Sequence, residues 1–301
     1  MDFILFEKTG PRSIPTDPIE FAILDEETIC ALESYFLHTY TGDPVDTWET
    51  GYAGELLYGT RISLGLDRVL GAITQSHELE FIFPHGQTLK FMPVGIDYHA
   101  FIWVVNATEV YTLNSKQQIH RVFGKDQTVQ LYPNLKPIRL YVGYDSTMVV
   151  EVKSETPGFN KYLWLMGKQA LEMLLPSPGT LVVSSAKSMF YITDQRAYQI
   201  LWGGTSLKLE LYTVNPEAGN SEHDRDRQPF YFYAKGKVPK AYAGADGSLL
   251  LSFLEGKYAY SWLSATGNPS GTLGHDDPDY WESLDTFQAK LIDLPMPIVA
   301  S

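Results

Sequence analysis

At 301 residues, 44% hydrophobic and 20% charged, the chain is long enough for one large domain or two ordinary ones and apolar enough to bury a core. Its formal charge of −13 argues against wrapping nucleic acid, because binding phosphates takes a basic face that releases counterions, and against an anionic membrane surface. No stretch approaches the roughly 18–20 uninterrupted apolar residues that a membrane-spanning helix needs.

Cys30 is the only cysteine, so no internal disulfide can form. Met1 to Gly10 carries Asp2 and Glu7 where a signal peptide has basic residues followed by an apolar run. The expected location is therefore cytoplasmic. Asn106-Ala107-Thr108 fits a glycosylation sequon, which has no consequence without a secretory route.

The first 50 residues read differently from the rest. Asp25 suits a helix N-cap, acids follow it in the first turn, and Ile29, Leu32 and Phe36 fall at i, i+3 and i+7. A helix over Glu26 to His38 is expected, ended by Gly42 and Pro44. The division that follows is an N-terminal helical segment, 1–50, and a β-rich domain, 51–301.

Beyond residue 50 the texture is one of short apolar runs bounded by turn residues. Glu78 to Phe83 alternates, with Leu79, Phe81 and Phe83 on one side, Pro84-His85-Gly86-Gln87 makes a turn, and Leu89 and Phe91 resume the alternation. That pattern is a hairpin. Tyr98 to Val105, Met148 to Val152, Thr180 to Val183, Met189 to Thr193, Leu207 to Tyr212, Pro229 to Tyr233 and Leu249 to Phe253 also read as strands. The 19 tyrosines and 15 phenylalanines favour the same pleated surfaces.

A short motif recurs. Val94-Gly95-Ile96-Asp97, Val142-Gly143-Tyr144-Asp145 and Ala243-Gly244-Ala245-Asp246 each stand before an apolar strand. Glycine allows a tight turn and aspartate can accept from nearby backbone amides. Leu64-Gly65-Leu66-Asp67 matches too, although Ile62, Leu66, Val69, Leu70 and Ile73 are spaced like a helical face. Val183 to Trp202 has the strand-turn-strand shape with Ser184 and Ala186 replacing glycine and aspartate.

Openings about 40 to 60 residues apart fit four-stranded blades. The expected fold is mainly β, a propeller-like array of about five or six irregular blades preceded by the short helical segment. The alternatives are a β-sandwich, or an α+β fold with helices near 60–73 and 166–175.

Catalytic signatures are missing: there is no G-x-S-x-G elbow, H-E-x-x-H, paired C-x-x-C or Walker loop. Gly203-Gly204-Thr205-Ser206 reads as a turn rather than a phosphate cradle, and Cys30 as packing rather than a nucleophile. Asp97, Asp145 and Asp246 could ring one end of a channel, but closing their own turns is the simpler role. His77, His85, His99 and His120 read as surface or edge residues. Two loops carry His223, Asp224 and Asp226, and His275, Asp276 and Asp277. Together they could hold a divalent metal, the one cofactor the sequence offers.

Three functional classes follow. The first is a non-catalytic protein-binding module, including an inhibitor or immunity-type protein acting on a basic partner, to which the negative charge points. The second is a metal-dependent hydrolase using the two His/Asp loops. The third is a carbohydrate-binding propeller with aromatic stacking faces.

Overall fold

The computed structural model describes residues 4–7, 10–12, 20–25, 28–33, 36–40, 49–52, 61–74, 76–84, 86–92, 99–124, 127–194, 197–202, 207–211, 213–214, 228–229, 238–247, 249–253, 257–261 and 288–294. Every regular element among them is a β-strand. The strands form six sheets of four or five strands and one two-stranded ladder, Thr213–Val214 with Gln228–Pro229.

Each sheet is a blade, built outward from the axis in chain order. Blade 1 comprises Glu20–Asp25, Thr28–Glu33, Phe36–Tyr40 and Glu49–Tyr52. Blade 2 comprises Ile62–Leu64, Leu70–Ile73, Leu79–Ile82 and Thr88–Phe91. Blade 3 comprises His99–Asn106, Glu109–Asn114, Ile119–Gly124 and Gln127–Leu131.

Blade 4 comprises Arg139–Val142, Met148–Val152, Phe159–Met166 and Gln169–Pro176, with Gln288–Asp293 added at its outer edge. Blade 5 comprises Thr180–Ser185, Ser188–Ile192, Ala197–Trp202 and Leu207–Leu211. Blade 6 comprises Lys240–Ala243, Leu249–Phe253 and Lys257–Ser261. It is completed by Ile4–Glu7, which lies parallel to Lys257–Ser261, and by Gly10–Arg12.

The innermost strands touch in a closed cycle, blade 1 to blade 2 and onward until blade 6 returns to blade 1. The chain is therefore a β-propeller. Its core is divided into seams between blades. Ala22, Leu24, Cys30 and Leu32 of blade 1 pack on Ile62, Leu64, Leu70 and Ala72 of blade 2. Corresponding clusters fill the next four seams. Phe21 meets Tyr242 edge-on, ring centroids 5.6 Å apart, where blade 6 rejoins blade 1.

This two-sided packing corrects the expected N-terminal helix. Residues 28–33 and 36–40 are antiparallel strands, with Ile29 opposite Tyr40 and Leu32 opposite Leu37. Ile29, Cys30, Ala31 and Leu32 are all buried because their strand has a blade on either side, so the run carries no alternation. The apparent helical spacing joined residues from two strands. The boundary drawn at residue 50 falls inside Glu49–Tyr52.

The helices weighed near 60–73 and 166–175 are strands as well. Ala170, Leu171, Met173 and Leu175 are residues of ordinary or good helix propensity, held extended by burial and by pairing with Phe159–Met166.

The recurring glycine–aspartate motif joins the first strand to the second in blades 2, 4 and 6. The copy at Gly65 is thus a true one, and the copy at Gly95 precedes the first strand of blade 3 instead of following it. Residues 94–97 themselves lie outside the described set.

In blade 4 the amide of Ser146 donates to Gly143 O at 2.9 Å, and that of Gly143 to Thr147 O at 2.8 Å. Ser146 takes a positive φ of 63°, as do Arg68 at 61° and Gly247 at 84° in the other two copies. These are type I turns closed by a left-handed residue.

The left-handed residue is the one after the motif's aspartate, so the motif's glycine serves another purpose. A Cβ on Gly143 would stand 2.7 Å from Ser184 O, and one on Gly65 would stand 2.9 Å from Val104 Cγ1. Both glycines let the next blade approach.

The residue after the glycine then donates across the seam: Leu66 N to Val105 O at 2.8 Å, Tyr144 N to Ser184 O at 2.7 Å and Ala245 N to Leu24 O at 2.5 Å. Asp67 accepts from its own turn at Val69 N, 3.3 Å, and from Ala107 N of blade 3, 2.6 Å. Asp145 does likewise with Thr147 N, 3.0 Å, and Ala186 N of blade 5, 2.8 Å.

Other polar ties close the intervening seams. Ser184 Oγ donates to Gly244 O at 2.6 Å, and Ser146 Oγ to Glu109 Oε1 at 2.8 Å. Burial alone would raise the Glu109 carboxyl. Hydrogen bonds from Tyr111 and Ser146, with the charge of Arg121, outweigh it and hold the group below its usual range.

Two outcomes test this account. Gly143→Ala is expected to lose about 1–3 kcal/mol, the usual cost of overpacking. Arg68→Gly, at an exposed left-handed position, is expected to be neutral or slightly stabilising. Denaturant midpoints measure both. A depressed carboxyl stabilises the fold above its unfolded pKa and loses that contribution as pH falls through the folded pKa. The midpoint of Glu109→Gln is therefore expected to fall less than the parent's between neutral and acid pH.

Candidate functional site: a closed-ended axial channel

The six innermost strands enclose a cavity of about 680 Å³ on the propeller axis, lined by residues of all six blades. Because these strands run in the same sense, their first residues share one end and their glycine–aspartate turns the other.

The turn end is barred. Tyr144, projecting from the blade 4 turn, donates its hydroxyl to the carbonyl of Ile23 in blade 1. Blades 1 and 4 lie on opposite sides of the ring, so this bond spans the axis. Burial, and then the nearby carboxylates of Asp246 and Asp25, push the phenol far above its ordinary pKa and keep it a neutral donor.

The other end is a charged mouth. Glu20 begins the inner strand of blade 1 and is buried. Arg61 of blade 2 donates from Nη1 to its two carboxylate oxygens at 3.0 and 3.2 Å, and Lys240 of blade 6 reaches Oε2 at 3.4 Å. The Arg61 guanidinium also lies 5.3 Å from the ring centroid of Phe101 in blade 3. Phe101 in turn stacks on Trp103, centroids 5.6 Å apart.

Across the ring, Arg139 of blade 4 has Nε 3.9 Å from Glu151. Tyr141 donates to the same carboxylate at 3.2 Å. Burial, followed by the Glu151 charge, pushes the Tyr141 phenol up to about 12, so it too remains protonated at physiological pH.

The mouth thus offers half-exposed cations, aromatic faces and two carboxylates that are already engaged. Chemically it can hold a charged group by ion pairing beside an apolar one. None of these residues was singled out by the sequence reading. Arg61, Arg139 and Lys240 each lie four residues before the motif glycine, a regularity visible once the three copies are aligned in phase.

The residues singled out earlier fall elsewhere. His223, Asp224, Asp226, His275, Asp276 and Asp277 lie outside the described residues, as do Asp97, His85 and the turn at 203–206. Among the described residues no group of three or more His, Cys, Asp or Glu is placed to hold a metal. Asp145 serves its turn and the adjacent seam.

His77 occupies a turn of blade 2 at φ 63°, and His99 opens the inner strand of blade 3. His120 departs from the surface or edge expectation. It is 6% exposed, opposite Thr112 in blade 3, and desolvation lowers its pKa.

Cys30 is buried in the seam between blades 1 and 2, and desolvation pushes its thiol up to about 12.

The sequence matches no known family profile, and no curated protein matches it. Several solved structures align with it at low identity. YCF48 bound to D1 peptide aligns over 84% of this chain and 95% of that one, with 11% identity and a TM-score of 0.48. The WD40 domain of Neurospora crassa Pan2 aligns over 86% and 81%, with 11% identity and a TM-score of 0.49. Streptogramin B lyase aligns over 82% of each chain, with 11% identity and a TM-score of 0.45.

A thiol in the state of Cys30 is neither ionised nor accessible. Ellman's reagent is expected to leave the native protein unmodified and to titrate one thiol once denaturant unfolds it. Rapid labelling of the native protein would contradict the packing assigned to Cys30.

Proposed function

We propose that this chain is a non-catalytic protein-binding module that receives part of its partner at the open mouth of the axial channel. The observation that carries this reading is the mouth itself: side chains from all six blades converge on one cavity of about 680 Å³, within the usual range of ligand sites. Arg61, Phe101, Trp103, Arg139, Tyr141 and Lys240 supply the charge-assisted and aromatic contacts that dominate protein recognition.

The net charge of −13 supports the finer reading of a partner with a basic surface, as for an inhibitor or immunity-type protein. Such a field acts over about 8 Å at physiological ionic strength and speeds encounter more than it deepens the final complex.

The test uses the full chain as bait at low salt, alongside Thr180→Trp. Thr180 begins the inner strand of blade 5, and an indole there fills the mouth without changing its charge. The expected result is a partner of high isoelectric point, an association rate that falls steeply with salt, and loss of that partner from an occluded variant that still folds. Retention of the partner by folded Thr180→Trp would move the binding face away from the channel. A rate indifferent to salt would remove the basic partner.

A further inference from the structure

The propeller repeats in pairs of blades. Arg61, Arg139 and Lys240 stand four residues before Gly65, Gly143 and Gly244, and so begin or immediately precede the inner strands of blades 2, 4 and 6. Alternate blades of a six-membered ring are related by a threefold rotation, so one motif sets three cations around the channel mouth. The intervening blade 1 supplies Glu20, which pairs with the cations on both sides of it.

Exposure decides what this ring presents to an incoming group. The side chains of Arg61, Arg139 and Lys240 are 42%, 51% and 52% exposed, whereas Glu20 and Glu151 are 8% and 17% exposed. Among the described residues lining the cavity, three cations against two carboxylates leave one positive charge at the mouth of a chain that carries −13 overall. The cations are also the outward members of their pairs. Among the described residues, local charge at the mouth therefore opposes the global charge.

We infer that the mouth binds a carboxylate side chain of an acidic peptide segment, with an aromatic or apolar neighbour seated on Phe101 and Trp103. This rests on the channel-mouth reading above and names the segment that enters there, an acidic tip on a partner whose surrounding surface is basic. Arginine presents paired N–H donors that match a carboxylate, and the stacked rings lie beside Arg61. A long polyanion is disfavoured because the rest of the acidic surface repels it. A short segment meets chiefly the cationic ring.

The experiment measures anisotropy of a fluorescein-labelled peptide containing Phe-Glu-Glu, with a Phe-Gln-Gln peptide as control, against the full chain. Arg139→Gln is expected to weaken the acidic peptide about tenfold, the scale of a lost charged contact. Glu20→Gln is expected to strengthen it, because Arg61 and Lys240 are released from their internal carboxylate. Mere damage to the fold would weaken binding in both variants, so the opposite signs are diagnostic.

Equal binding of the two peptides, weakening by Glu20→Gln, or complete displacement of the peptide by inorganic phosphate would each overturn the inference. If these fail while Thr180→Trp still abolishes partner capture, the channel-mouth reading survives and only the acidic peptide is lost.

Discussion

A ring of sheets has to close, and nearly everything in this structure follows from how closure is achieved. Each blade buries both faces against its neighbours, so no blade has a core of its own. Closure is covalently discontinuous: Ile4–Glu7 leaves blade 1 and lies beside Lys257–Ser261 to finish blade 6. The backbone pairing of that ladder fastens the two ends of the circle.

The seams place demands on particular residues. Glycine at the opening of the blade 2 and blade 4 turns is required for distance, since a methyl group there would strike the following blade. The aspartates of the same two turns contribute twice, once to their own turn and once to the next blade. A local turn signal and an inter-blade fastening thus reside in three consecutive residues. This lets a short motif organise a domain whose blades otherwise differ in sequence.

How much could be read from sequence follows from the same geometry. The outer hairpin of blade 2 was readable, because Leu79 and Phe81 face a seam while Glu80 and Ile82 are only half-buried. Strands with a blade on each side lose that alternation. Ile29 to Leu32 is the example, a continuous apolar run that periodicity cannot assign to strand or helix. The repeat is legible, but Gly95 and Asp97 also precede an apolar run, a slip that puts their copy one strand out of phase. That slip hid the cations four residues upstream of each in-phase glycine. The charges at the mouth were missed for a further reason: Glu20, Phe101 and Arg139 are far apart in the chain and meet only because the ring closes.

The bond from Tyr144 to Ile23 turns what would be a pipe into a cup. A pipe can be threaded, and traffic can pass through it in one direction. A cup has a single rim, so arrival and departure share one path, and a bound segment must end or double back inside. The depth of the cup then sets a ceiling on how much of a guest is gripped. The hydroxyl at its floor fixes that ceiling.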